Sequence, residues 1–322
     1  MPKLDHIWYT RTPLAWLLLP LSALYCAVVV ARRLAYRIGL KKTHRLTVPV
    51  IVVGNLTVGG TGKTPLVIWL TRFLQAQGYR PGLVARGYGG QATHWPQAVT
   101  AESDPTLVGD EPVLLARVTG CPMVVAPDRV AAARALLADN ACDVLISDDG
   151  LQHYALGRDI EIAVVDGERR FGNGHCLPAG PLREPARRLE EVDLIVANGA
   201  AGAGEFSMQV KTGEAVNLVS GERRPLEQFR RQPVHAIAGI GHPARFFAAL
   251  HAAGLNVETH AFPDHHAYRP EDLAFGDGTL LMTEKDAIKC RGFAQANFWA
   301  VGTDVEVDAA LGVQIRKLLR PT

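Results

Sequence analysis

Residues 48–70, VPVIVVGNLTVGGTGKTPLVIWL, constrain this chain more than any other stretch. Residues 48–53 form an apolar run that reads as a buried strand. A glycine-rich turn follows, then Gly62-Lys63-Thr64, then the apolar start of a helix. Strand, glycine-rich loop, Gly-Lys-Thr and helix in that order predict a phosphate-binding P-loop. Glycines let consecutive backbone N–H groups turn inward around an anion, and the helix N-terminus adds positive potential. Thr57, Val58, Gly59, Gly60, Thr61, Gly62, Lys63 and Thr64 are therefore the expected nucleotide-binding loop. Lys63 would reach the β- and γ-phosphates and the Thr64 hydroxyl would bind Mg²⁺. The pattern asks for glycine where this chain has Thr57; the run Gly59-Gly60-Thr61-Gly62 keeps the loop pliable regardless.

At 322 residues the chain is long enough for a large core and two domains. With 48% hydrophobic and 20% charged residues it is globular, and a net charge of +2 gives no electrostatic signature of a nucleic-acid binder. Five scattered cysteines without a C-x-x-C pair suit free thiols in a reducing compartment.

Residues 12–31 carry no charge and are mostly Leu, Val, Ala, Trp or Tyr. A helix of this length approaches the roughly 30 Å thickness of a bilayer's hydrocarbon layer. A cleaved signal peptide is disfavoured, because no small-x-small site precedes the basic stretch. A spanning helix would be interrupted by Pro20, and a helix lying in the membrane surface is the third reading. Leu14, Leu17, Leu18, Leu21, Leu24, Tyr25, Val28 and Val29 fall on one helical face. Arg32, Arg33, Arg37, Lys41, Lys42 and Arg45 follow. An apolar face with a trailing basic cluster favours a peripheral anchor on anionic lipid over a helix buried in the protein's own core.

Beyond the P-loop, strands expected at 81–85, 123–126, 143–148, 160–165 and 192–197 alternate with helical segments, as in a doubly wound parallel sheet. The strand at 143–148 ends in Asp148-Asp149, the acids of a Walker B arrangement, where one carboxylate binds Mg²⁺ directly or through water. Gln152 and His153 extend that loop at the end of the sheet where ligands sit. Asp110 and Glu111 precede Pro112 and read on pattern alone as acids at a helix start. Residues 172–185 form a long Gly/Pro-rich loop carrying Arg183 and Glu184, and loops of that kind are more often functional than idle. From Glu205 the rhythm changes to alternation, which predicts a β-hairpin with its turn at 211–214. A second α/β unit begins at 234 and contains Phe262-Pro263-Asp264-His265-His266 and Thr283-Glu284-Lys285-Asp286. The histidine pair has no third ligand nearby in sequence, so a zinc site there is not favoured. The expected division is residues 1–45 as apolar helix and basic segment, 46–205 as P-loop domain, 206–232 as hairpin linker and 233–322 as a smaller α/β domain.

Taken together and in order, the motifs at 59–64, 86–90, 109–112, 148–153, 177–184, 262–265 and 283–286 resemble those of the tetraacyldisaccharide 4′-kinases, the lipid A 4′-kinases of Gram-negative bacteria. The resemblance runs from the N-terminal apolar helix almost to the C-terminus. It implies a P-loop core joined by a two-stranded ribbon to a smaller α/β domain, with the catalytic cleft between them. It implies ATP as donor, Mg²⁺ as cofactor, and the 4′-hydroxyl of a tetraacylated glucosamine disaccharide 1-phosphate as acceptor. The implied location is the cytoplasmic face of the inner membrane, in contact with its lipid. No nucleic-acid or protein partner is implied. Carried over by position, Asp110 is the expected catalytic base and His265 its partner from the other domain. Glu111, Asp148 and Asp149 match acidic positions around Mg²⁺. Gln152, His153, Arg183 and Glu184 match active-site positions.

Two rivals remain at this stage. A P-loop kinase of a small soluble metabolite would explain the core but not residues 12–31. A GTPase switch would need Asn-Lys-x-Asp for guanine, and Thr283-Glu284-Lys285-Asp286 lacks both the Asn and the spacer.

Overall fold

In the computed structural model, which describes residues 4–10, 13–276 and 278–319, the apolar run before the P-loop is the central strand of one sheet. Its strands in chain order are β1 (Val50–Gly54), β2 (Pro81–Ala85), β3 (Gln97–Val99), β4 (Met123–Val125), β5 (Val144–Asp148), β6 (Ile160–Asp166), β7 (Leu194–Asn198), β8 (Phe206–Asn217), β9 (Arg223–Arg224), β10 (Val234–Ala238), β11 (Val257–Ala261), β12 (Thr279–Thr283) and β13 (Phe298–Val307). The helices are α1 (Leu4–Tyr9), α2 (Pro13–Arg37), α3 (Lys63–Ala76), α4 (Pro105–Val108), α5 (Asp110–Thr119), α6 (Arg129–Asp139), α7 (Pro243–Ala252), α8 (Glu284–Cys290) and α9 (Ala309–Leu319).

The P-loop half has the order β7-β6-β1-β5-β2-β4, all parallel, with β3 antiparallel at the edge. Val50 to Val53 are at most 1% exposed, which is why this strand reads as a continuous apolar run instead of an alternation. Helices α3 and α5 cover one face, through Leu66, Leu70, Leu74 and Leu115. Helix α6 covers the other through Val130, Ala133 and Leu136. The flanking of β1 by β5 and β6 puts a topological switch point above its C-terminal end, where doubly wound sheets bind ligands.

The second half, β11-β10-β12-β13, is also parallel and joins the first through β8. Strand β8 pairs parallel with β7 at its start and antiparallel with β13 along most of its length. The turn expected at 211–214 is absent: β8 runs unbroken through it, because a long-range partner supplies the ladder that a local hairpin would have provided. The chain reverses at 218–222, and the return strand, β9, is two residues long. The ribbon between the halves is therefore β8 with β13, from opposite ends of the second unit.

Helix α9, which the sequence reading places in the C-terminal unit, packs on the P-loop half. Leu311, Ile315 and Leu319 join the core of α3 and α5, and Gly312 sits against the Phe73 ring with no room for a side chain.

Helix α2 continues through Pro20. Thr12, the first residue of the expected apolar segment, lies outside the described residues. The face that docks on the protein is the one with small side chains: Ala15 and Ser22 are buried, the Ser22 hydroxyl donates to the Cys176 carbonyl at 2.6 Å, and the Tyr25 hydroxyl donates to the Arg183 carbonyl at 3.1 Å. Of the bulky face, Leu14, Leu17, Leu21, Leu24 and Val28 point away from the protein, with Trp16 beside them, while Leu18, Tyr25 and Val29 are half-buried. Small residues permit close approach to the Gly/Pro-rich loop, so the larger apolar surface is the one left outward.

Candidate active site

The P-loop leaves β1 at Gly54 and enters α3 at Lys63. Gly62 has φ +96°, and a Cβ there would lie 2.6 Å from the Asn198 amide nitrogen, so both backbone and space demand glycine. The Gly/Pro-rich loop lies along the first half of the P-loop. Val58 N–H donates to the Pro181 carbonyl at 2.8 Å, Arg183 N–H donates to the Leu56 carbonyl at 2.6 Å, and Thr57 bridges Leu182. Lys63 Nζ donates to Asn55 Oδ1 at 3.1 Å and stands 3.5 Å from Asp149 Oδ1. The charged head is thus held in place at the mouth of the loop, with Thr64 beside it on the cleft wall.

The two acids at the end of β5 have different surroundings. Asp149, at φ +48°, receives both Arg183 contacts at 3.0 Å in addition to Lys63. Burial works against its charge, but Lys63 and Arg183 prevail and hold its carboxyl down to about 2. Asp148 is 5% exposed, and among the described residues its Oδ1 has no hydrogen-bond partner. Burial and the nearby Glu111 carboxylate push Asp148 up to about 7, against the pull of Lys63. An orphaned buried carboxylate oxygen, on a cleft that Thr64 also lines, suits a hard cation with oxygen ligands, so the donor set fits Mg²⁺. Glu111 itself is held by Lys285 Nζ at 3.0 Å.

Across the cleft, two residues 155 positions apart meet. Asp110 opens α5 and is 4% exposed. His265 stands on the loop after β11 with φ +59°. Its Nδ1–H donates to the two Asp110 oxygens at 3.0 and 3.1 Å. Burial opposes ionisation of Asp110, but the His265 hydrogen bond and the charge of Lys285 hold its carboxyl below the ordinary value. The same bond lifts His265 above the ordinary imidazole value, against burial and the repulsion of Lys285. Lys285 donates to Glu111, to Asp264 Oδ1 at 3.2 Å, and to His265 Nε2 at 3.4 Å, joining α5 to the loop after β11. Burial would lower this ammonium, but Glu111, Asp110 and Asp264 raise it above the usual value. His266 turns away to Asp272 at 3.1 Å, so the adjacent histidines do not converge on one metal.

Gln152 and Glu184 form a separate group, with Glu184 buried and Gln152 half-buried. Gln152 Nε2 donates to Glu184 Oε2 at 2.9 Å, and the Tyr154 hydroxyl donates to the other carboxylate oxygen. His153 is pushed down to about 4 by burial and by Arg129, so it is neutral at ordinary pH. Of the expected residues, Lys63, Asp148, Asp149 and Arg183 come together on one wall and Glu111 and His265 on the other, with Asp110 bonded to His265. Gln152, His153 and Glu184 lie at the end nearer α2.

Sequence reasoning missed Lys285, whose motif it noted without a role, and Arg129, a 5%-exposed arginine whose charge acts on Asp149 and Asp148. Arg129 follows the N-cap Asp128 and looks like any helix-start residue, so no local signal marks it.

Lys63, Glu111, Asp148, Asp149, Arg183, His265 and Lys285 line one cleft of about 1050 Å³, which runs from Tyr25, Val29 and Arg32 of α2 past the P-loop to Gly241 and Arg245 of the second unit, and Asp110 reaches it through His265. Gly241 abuts the P-loop closely enough that a Cβ would lie 3.2 Å from Gly60 N. A P-loop with its lysine, a Walker-type aspartate with one unpartnered oxygen and an acid–histidine pair define the class of P-loop phosphotransferases. Within that class, the family described as LpxK: Tetraacyldisaccharide-1-P 4'-kinase matches residues 14–320. A tetraacyldisaccharide 4′-kinase of Nitrosococcus oceani is 60% identical over 97% of this chain and 93% of its own length. That of Alkalilimnicola ehrlichii is 53% identical over 96% and 95%. A crystal structure of LpxK from Aquifex aeolicus, described as an "apo" form in complex with ATP, superposes with a TM-score of 0.82 at 30% identity, covering 95% of this chain and all of that one. The chain belongs to the tetraacyldisaccharide 4′-kinase family.

Proposed function

We propose that this protein transfers the γ-phosphoryl group of ATP to the 4′-hydroxyl of a tetraacyldisaccharide 1-phosphate, the lipid A precursor, with Mg²⁺, at the cytoplasmic face of the inner membrane. The observation that supports it most is the contact of Asp110 with His265, which lines the same cleft as Lys63.

Phosphoryl transfer asks for positioning and charge neutralisation more than for covalent chemistry. The P-loop amides and Lys63 hold the triphosphate, and Arg183 keeps Asp149 and the Lys63 head in register. Asp148 and Thr64 would hold Mg²⁺, which would supply positive charge to offset that of the phosphates. Asp110, ionised at neutral pH, accepts the proton of the attacking hydroxyl. His265 orients that carboxylate through Nδ1–H. Because the pair spans two halves of the chain, keeping those halves closed around both substrates is a condition for turnover.

The outward bulky face of α2 and the basic residues from Arg32 onward support a helix lying on the bilayer. A helix docked along one side by Ser22 and Tyr25 has lipid on the other side only. Fully burying an exposed leucine is worth about 1.5–3 kcal/mol, so Leu17→Ser should weaken binding to anionic vesicles about tenfold. Unchanged vesicle binding in that variant would remove α2 from the anchor role.

The deciding assay mixes purified protein, ATP, Mg²⁺ and detergent-dispersed tetraacyldisaccharide 1-phosphate. Formation of the 4′-phosphate is expected; its absence with this acceptor overturns the assignment.

A further inference from the structure

The geometry points to a second cation site, for Zn²⁺, formed by His235, Glu258 and His260 on the outer edge of the second half-sheet. His235 lies opposite Glu258 in the β10–β11 register, and His260 is two residues beyond Glu258, so alternation puts all three side chains on one face. His235 Nδ1 and His260 Nε2 are 3.3 Å apart. Tetrahedral ligands at zinc–nitrogen distances of roughly 2.0–2.1 Å are separated by about 3.3 Å. The Glu258 oxygens stand 3.5 Å from His235 Nδ1 and 3.9 Å from His260 Nε2, a small adjustment from the same figure. The Phe275 ring stacks on both imidazoles, with centroids at 3.9 Å from His260 and 5.2 Å from His235, and fixes their planes.

Two imidazoles and one carboxylate select a borderline transition ion over Mg²⁺, which takes oxygen ligands. Three protein ligands leave a fourth position, and exposed Glu258 opens it to water. The site belongs to neither wall of the nucleotide cleft. Gly241, which touches the P-loop, is six residues beyond His235, up to about 20 Å away along an extended chain. Zn²⁺ here ties β11, the outermost strand, to β10.

The test is a Zn²⁺ titration of full-length, chelator-stripped protein against a chromophoric chelator, with Mg²⁺ in excess. The expected result is one equivalent of Zn²⁺ that is lost in His260→Ala, weakened more than about tenfold in Glu258→Gln, and retained in His265→Ala. Zn²⁺ should also raise the Tm of the wild type but not of His260→Ala. Glu258 is exposed, so Glu258→Gln tests the site even if the histidine variant folds poorly. Absence of a bound equivalent, or one indifferent to both His260→Ala and Glu258→Gln, leaves only a hydrogen-bonded histidine pair and overturns the site.

Discussion

Asp148 and Asp110 are both aspartates, each about 95% buried, Asp148 on the wall of the cleft and Asp110 bonded to His265 on that wall, yet their surroundings drive them in opposite directions. Asp148 has an oxygen with no partner and an acidic neighbour, and is pushed up to about 7. Asp110, against the same penalty of burial, is held below the ordinary value by His265 and Lys285. The P-loop wall therefore has a deficit of positive charge at one carboxylate, and the facing wall has that charge supplied by its own side chains. A carboxylate left short of a cation suits a metal; one with a histidine donor and nearby lysines suits a group that stays ionised to receive a proton. Residue type is the same in both, and environment alone sets the difference in charge.

Asp148→Asn would break this division most severely. The carboxamide keeps the shape but loses the charge, and a metal's contribution of several kcal/mol corresponds to a fall in kcat of roughly 10⁴-fold or more. Single-turnover rates over a Mg²⁺ series would check it; recovery at high Mg²⁺ is expected to be partial. Wild-type rates would transfer the metal role to Asp149. Asp110→Asn comes next, with a loss of about 10²- to 10⁴-fold in kcat, the range for removing a general base. ATP affinity, measured calorimetrically, should stay near that of the wild type if Asp110 acts on the acceptor as proposed. A variant that loses ATP binding and turnover together would place Asp110 on the nucleotide side.

Lys285→Met sharpens the comparison from the other direction, since it removes one of the charges that separate Asp110 from Asp148. Glu111 and Asp264 lose their shared partner, and misplacement of the pair should cost up to about 10²-fold in kcat. Lys285 also opposes protonation of His265, so its removal raises the His265 pKa further. The limb of the pH–rate profile that reports His265 should move to higher pH. A fall in rate without that movement would make Lys285 a scaffold only.

How much of this was legible in the sequence follows from the range of the interactions involved. The P-loop is local: strand, glycines, Lys63 and helix lie within 23 consecutive residues, and the structure has them in that order. The doubly wound half was readable for the same reason, because each strand and helix has its own period. The β8–β13 ribbon was not, since Trp299 to Val307 pair with Asn217 to Met208 from far along the chain, and alternation in β8 looked like a hairpin. Helix α9 carries no mark that it returns to α3. The apolar face of α2 was visible, but which side docks depends on the fit of Ala15 and Ser22 to a distant loop. In the site, Asp148 and Asp149 were marked by the strand they end. Asp110 read as an ordinary helix-start acid, and only the joint motif order linked it to His265.

The smallest effect tests whether the Asp110–His265 contact is an ion pair even before substrate arrives. His265 is raised above its ordinary 6.5 and Asp110 is lowered below its ordinary 3.8. A raised histidine stabilises the fold fully below its unfolded value and loses that contribution as pH climbs through the folded one. A lowered carboxylate stabilises above its unfolded value and loses that contribution as pH falls through the folded one. Both contributions are therefore present between about pH 4 and 6.5, and the histidine share fades above that window. The Tm of the wild type minus that of His265→Asn, measured from pH 4 to 9, should be largest inside the window and shrink toward pH 9. A difference flat across the range would mean that a neutral hydrogen bond joins the halves, and the facing wall would then lack the charge that sets it apart from Asp148.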